Sequence, residues 1–265
     1  MALSSSRTAA NASRPATVVA ALRLFPLLSA LALLALWSVA AALSDPRFLP
    51  PPQDVAVRFW QELIGGTLLP NLGATLLRVA ASFFLAMTIG SAIGILLGRN
   101  LNIDRFFDSW LVLFLNLPAL VVIILCYVWF GLTEAAAITA VAINKIPNVA
   151  VTLREGARAM SPQLDEMGTV YRFSRIDVLR HIHLPQLAPY FAAAARSGLA
   201  LVWKIVLVVE LLGLSSGVGF QLYTLFQLFD VAGILAYAFS FIAVVLLIET
   251  TLLTPWQRAA NRWRA

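Results

Sequence analysis

Long unbroken apolar runs separated by short polar stretches constrain this chain more than any other feature. A bilayer core is about 30 Å thick and takes about 20 residues of helix to cross. Runs of about that length recur at Leu24–Leu43, Leu72–Leu97, Ser109–Phe130, Ala135–Leu153, Tyr190–Leu212 and Ile234–Leu253. Backbone groups find no water in a bilayer, so spanning elements are helices or a closed barrel. Barrel strands alternate apolar with polar residues, and these runs do not. The sequence therefore predicts an all-α membrane protein with six transmembrane helices. Composition agrees: 60% of the 265 residues are hydrophobic and 12% charged, where soluble domains are about a quarter charged.

The first run resembles a signal peptide in its Ala40 and Ala42, but its apolar core of about 20 residues exceeds the usual 7–15. An uncleaved span is expected. Met1 to Thr17 are rich in Ser and Ala and are expected to be disordered. The expected organisation is an N-terminal tail over 1–22, a first helix and external segment over 23–67, a membrane-spanning core over 68–254 and a tail over 255–265.

Basic residues set the orientation. With the N terminus inside, thirteen arginines fall in cytoplasmic segments and only Arg47 and Arg58 in external ones. Both termini are therefore expected on the cytoplasmic side of the membrane. The net charge of +6 reads as these loops, not as a nucleic-acid surface. After the first span, Pro50-Pro51-Pro52 leads into Gln53–Ile64, where Phe59, Trp60 and Leu63 suggest a short helix at the lipid interface. Ala86, Gly90, Gly94 and Gly98 recur every four residues, a stripe that lets another helix approach closely. Cys126, the only cysteine, allows no disulfide framework and reads as packing.

The longest cytoplasmic loop lies between the fourth and fifth spans. Ser161-Pro162 is a good helix start, and Ser174 followed by Asp177 a second. Two short helices exposed to the cytoplasm suggest a docking surface. This segment resembles the EAA loop of ABC-importer permeases, whose pattern is Glu-Ala-Ala, three residues, Gly, nine residues and Ile-x-Leu-Pro. Glu166 opens it and Ile182-His183-Leu184-Pro185 closes it at the expected distance. Met167 and Gly168 replace the alanines, and Arg172 stands where glycine is usual. Further pieces are similar to the nitrate/sulfonate/taurine branch: Phe48-Leu49-Pro50-Pro51-Pro52, Leu76-Leu77-Arg78-Val79, Trp129-Phe130-Gly131 and Gly217-Val218-Gly219. Arg196, Trp203 and Glu210 also fall at the branch's spacing.

The resemblance implies a type I importer fold and alternating access. The partners it implies are a second permease copy, two ATPase subunits, a periplasmic or lipid-anchored substrate-binding protein and membrane lipid. ATPase coupling would fall to Asp165, Glu166, Gly168, Arg172, Ser174, Leu184 and Pro185. Lys145 and Lys204 are the only lysines, and neither lies in a Gly-Lys-Ser/Thr phosphate loop. No cofactor is expected in this chain; ATP and Mg belong to the partner ATPase.

Ionisable residues inside spans are expensive and tend to face a cavity or a partner. Lys145, Lys204 and Glu210 are such residues, and they pair across helices or bias the interior towards an anion. Asn116, Asn144 and Asn148 add hydrogen-bonding capacity, and Pro147 is expected to open the fourth helix locally. These six polar and charged residues are the candidate translocation pathway. Arg78 and Arg196 are expected to snorkel to the interface. His181 and His183 are expected to be surface packing, since neither has metal-site spacing. No catalytic cluster appears. A self-contained secondary transporter or channel is the alternative, but internal repeats or a broken-helix pair are not clear in the sequence.

Overall fold

The computed structural model describes residues 16–256, and all the regular secondary structure among them is helical. Helix α1 (Ala16–Leu43) leads to α2 (Pro52–Ile64), which starts on a proline as the sequence suggests. The core follows as α3 (Leu68–Arg99), α4 (Leu101–Asn116), α5 (Ala119–Phe130) and α6 (Glu134–Arg158). A loop then carries α7 (Pro162–Val170) and α8 (Arg175–Asp177). A π-helical turn, Val178–His183, runs into α9 (Leu184–Gly213), followed by α10 (Val218–Gln227) and α11 (Val231–Ile248).

Four helical stretches, 68–99, 134–158, 175–213 and 231–256, are long and apolar enough to cross a bilayer. The expected third span, Ser109–Phe130, is not one straight helix. It is the pair α4–α5, bent by 94°. Pro118 has no N–H to continue the ladder and holds Leu117 in an extended conformation, which separates the two helices. Helix α1 covers the expected first span. Ala16 and Thr17 are already helical; the rest of the N-terminal stretch expected to be disordered lies outside the described residues.

The core is built on α3 and α6, which run parallel. A Cβ added at Gly90 would lie 2.7 Å from the Val149 side chain, and one at Gly98 2.6 Å from the Arg154 carbonyl oxygen. At Gly94 the obstacle is the Ala150 carbonyl itself. The glycine stripe thus brings two backbones together where any larger residue would hold them apart. Helix α6 runs through Pro147 as one helix, without the local opening expected there. Helix α9 packs antiparallel on both, and the side chains of Val202, Val206 and Val209 are sealed in the resulting core.

Candidate functional site

Two groups of polar residues stand at opposite ends of the α3–α6–α9 bundle. At the end remote from the α7–α8 loop, Arg78 is buried and uses all its donors. Its Nε and Nη2 donate to the Glu134 carboxylate at 2.8 and 2.6 Å. Its Nη1 donates to Glu210 Oε1 at 2.7 Å and to the Ser216 carbonyl at 2.8 Å, while Nη2 also reaches Ser216 Oγ at 2.7 Å. The expectation that Arg78 snorkels to an interface is wrong, because a fork geometry matched by two carboxylates outweighs a reach for water.

Glu210, fully buried, accepts further hydrogen bonds from Thr75 Oγ1 at 2.9 Å and from the Gly219 N–H at 2.8 Å. Asn71 Oδ1 accepts from the Gly217 N–H, and Thr75 Oγ1 from the Val218 N–H. These three side chains satisfy free N–H groups at the start of α10, with the carboxylate at the positive end of the helix. Gly217 has φ +106, and a Cβ there would collide with the Glu210 carboxylate. Glycine is therefore needed for both backbone angle and space.

Glu210 is thus not the partner of either lysine, which corrects that part of the expectation. Lys145 is 1% exposed, its Cε would lie 2.8 Å from a Cβ at Gly198, and its Nζ has no hydrogen-bond partner among the described residues. It is sealed between α6 and α9. Asn144 and Asn148 lie four residues apart on α6 and are half-buried, with the Asn144 amide donating to the Ala140 carbonyl. Asn116, exposed at the α4–α5 bend, donates to the Val112 carbonyl.

Lys204 differs from the rest. It is exposed on α9, in a groove of about 690 Å³ between α9 and α11 that also holds Arg196, Ser197 and Glu249. Trp203 and Phe241, 5.7 Å apart and edge to face, flank it. Arg196 lies 3.8 Å from Glu249, and that acid balances it. No acidic side chain forms an ion pair with Lys204 among the described residues.

At the loop end, α7 begins at Pro162 as the sequence predicts, and Ser174 Oγ accepts from the Asp177 N–H at 3.2 Å to cap α8. Ser161 is in extended cap conformation but gives its hydroxyl to Gln163, not to the helix. Gly168 is buried, and a Cβ there would lie 3.0 Å from Ile182 Cδ1. The small centre and the closing Ile of the pattern are thus the two sides of one contact. Arg172 has φ +51 and Phe173 N–H closes back on the Gly168 carbonyl at 2.8 Å. The left-handed backbone explains why glycine suits this position. Glu166, Val170, Tyr171 and Ile176 face outward, and Leu184 and Pro185 open α9.

His183 corrects another expectation. It is 8% exposed, and its Nε2 lies 2.9 Å from Asp165 Oδ1, while Arg99 Nη2 is 3.7 Å from Asp165 Oδ2. His181 is exposed beside Asp177. Among the described residues no cluster of three metal-ligating side chains occurs. Sequence reasoning missed Asn71, Thr75, Glu134 and His183. Two opposite charges, Arg78 and Glu210, near the same end of antiparallel spans were the only available signal.

Comparison with known proteins agrees with this architecture. The chain is 27% identical to a protein named as an aliphatic sulfonates transport permease, SsuC of Bacillus subtilis, over 88% of this chain and 84% of that one. It is 27% identical to the taurine transport system permease protein TauC of Escherichia coli, over 83% and 84%. The nitrate import permease protein NrtB of Synechococcus elongatus is 25% identical over 72% of each. In fold, the chain superimposes on a chain of the inward-facing MetNI methionine ABC transporter with a TM-score of 0.65 at 20% identity, over 76% of this chain and 99% of that one. Residues 86–263 match the family described as binding-protein-dependent transport system inner membrane component, and the chain belongs to that family.

Proposed function

We propose that this ABC-importer permease subunit carries a small anion along the α9–α11 groove, with Lys204 as its principal contact. The observation that carries the reading is an ammonium group, exposed within a membrane-spanning helix, that forms no ion pair among the described residues, Glu249 of the same groove pairing with Arg196. An ammonium facing lipid near mid-bilayer costs about 2.5–3.5 kcal/mol on insertion scales. A water-filled path or a second subunit relieves that cost, and a positive wall attracts anions. The relatives named for sulfonates, taurine and nitrate carry substrates with an oxyanion group.

In this reading two copies of the chain face each other across the groove, and two ATPase subunits dock on the outward residues of α7 and α8. A binding protein delivers the substrate at the Arg78 end. Both termini and the α7–α8 loop are cytoplasmic, in keeping with the arginine distribution. Exposed Val170, Tyr171 and Ile176 on a polar loop support docking, because exposed apolar clusters mark interaction sites.

The test is uptake by cells expressing the complete transporter, with labelled taurine, nitrate and an alkyl sulfonate as probes and choline as a cationic control. At least one anion should be taken up, and Lys204→Met should lower its uptake about tenfold at unchanged complex abundance. Choline uptake, or wild-type anion uptake by Lys204→Met, would refute the reading.

A further inference from the structure

The loop between α6 and α9 is clasped to the bundle by polar contacts, and one residue shares two of them. Asp165, in the first turn of α7, is half-exposed and turns its carboxylate towards the roots of α9 and α3, while its neighbour Glu166 is exposed. Its Oδ1 lies 2.9 Å from His183 Nε2, at the root of α9, and its Oδ2 lies 3.7 Å from Arg99 Nη2, in the last turn of α3. A histidine whose Nε2–H donates to Asp165 has no lone pair there for Arg99. The guanidinium, 3.5 Å from the ring nitrogen, therefore makes no hydrogen bond to the ring and meets the carboxylate as an ion pair. Gln186 adds a second clasp, its Oε1 accepting from the Ser161 N–H at 2.8 Å.

We propose that His183 and Arg99 are positioning residues that pass a displacement of α7 into α9 and α3 together, with the Asp165 carboxylate as their shared partner. The proposal rests on α7 being the surface that the ATPase moves. The charge-assisted hydrogen bond to His183 holds a direction as well as a distance, and the Arg99 ion pair adds a looser electrostatic tie, so a pull on α7 is felt at two helix ends. Helix α3 cannot answer alone, because Gly90, Gly94 and Gly98 lock its backbone onto α6. One carboxylate thereby drives α3, α6 and α9 as a unit. Exposed Glu166 serves the partner and the Asp165 carboxylate serves the bundle, a division of labour between adjacent residues of one helix.

The experiment uses the assembled complex of this chain with its ATPase in lipid nanodiscs, spin-labelled through Leu212→Cys at the far end of α9. Leu212 is exposed, and the native Cys126 is buried. The distance between labels is read with and without ATP and vanadate. Unsubstituted His183 should give a shift on trapping, and His183→Ala should lose at least half of it at an unchanged rate of ATP hydrolysis before trapping. His183→Gln, whose amide can still donate to Asp165, should restore most of the shift. Arg99→Gln gives an independent reading should His183→Ala fail to assemble, and it too should lose part of the shift. A full shift in His183→Ala, or in Arg99→Gln, overturns the proposal. Loss of the ATPase from His183→Ala also overturns it, because the contact would then serve docking. Absence of any shift with His183 intact removes the docking reading of α7, and this inference with it.

Discussion

Replacing Glu210 by alanine tests the buried polar network most directly. The carboxylate receives hydrogen bonds from Arg78, Thr75 and the Gly219 N–H, all within 2.9 Å. Its removal leaves Thr75 and Gly219 without that acceptor, and each buried unsatisfied donor costs about 1–3 kcal/mol. Removing one member of a buried ion pair costs about 3–5 kcal/mol. Arg78 keeps Glu134 and Ser216, and Thr75 keeps the Asn71 carbonyl as acceptor, so the lower part of these ranges applies, about 3–4 kcal/mol. At about 2–4 °C per kcal/mol for a domain of this size, the unfolding midpoint should fall by about 6–16 °C. Tryptophan fluorescence of the purified chain during a thermal ramp in detergent would measure it. Glu134→Ala is the control: its side chain is 59% exposed, and water can replace it at Arg78, so it should cost less than about 1 kcal/mol. Equal shifts for the two variants, or a shift under about 2 °C for Glu210→Ala, would refute the assignment of Glu210 as the group that holds α10.

Four further outcomes follow from particular contacts. Arg172→Gly should raise the unfolding midpoint by a few degrees, since a left-handed non-glycine residue costs about 1–2 kcal/mol; a fall in the midpoint would contradict the strain. Gly94→Val should abolish the folded chain on size-exclusion chromatography, because its Cβ meets the Ala150 carbonyl, and a normal elution profile would mean that α3 and α6 can separate. Lys145→Met removes a buried ammonium without a hydrogen-bond partner and should leave the midpoint unchanged or higher; a fall of several degrees would reveal a partner for Nζ. Glu166→Lys should lower uptake and the amount of ATPase that copurifies while the chain stays folded, because the side chain faces outward; unchanged uptake and copurification would remove α7 as the docking helix.

Hydropathy determined the helical class and most of the spans, because a bilayer penalises every unpaired backbone group regardless of what the helix packs against. Local chemistry was equally legible. Pro52 and Pro162 start helices, Ser174 caps one, and the spacing from Glu166 to Pro185 marks a loop whose glycine position is left-handed. The glycine stripe of α3 announced a close neighbour, although not that α6 would be it. Tertiary structure alone decided where the charges went. Arg78 lies 132 residues from Glu210 and 56 from Glu134, and only the antiparallel docking of α9 on α3 gives Arg78 two carboxylates. The same docking deprives Lys145 of Glu210 and leaves Lys204 facing a groove. It also buries His183, which by position alone belongs to a surface loop, because α7 folds back onto the root of α9 and brings Asp165 to it. Periodicity reports which face of a helix avoids water; which charge meets which depends on helix order and register, and these exist only once the helices have packed.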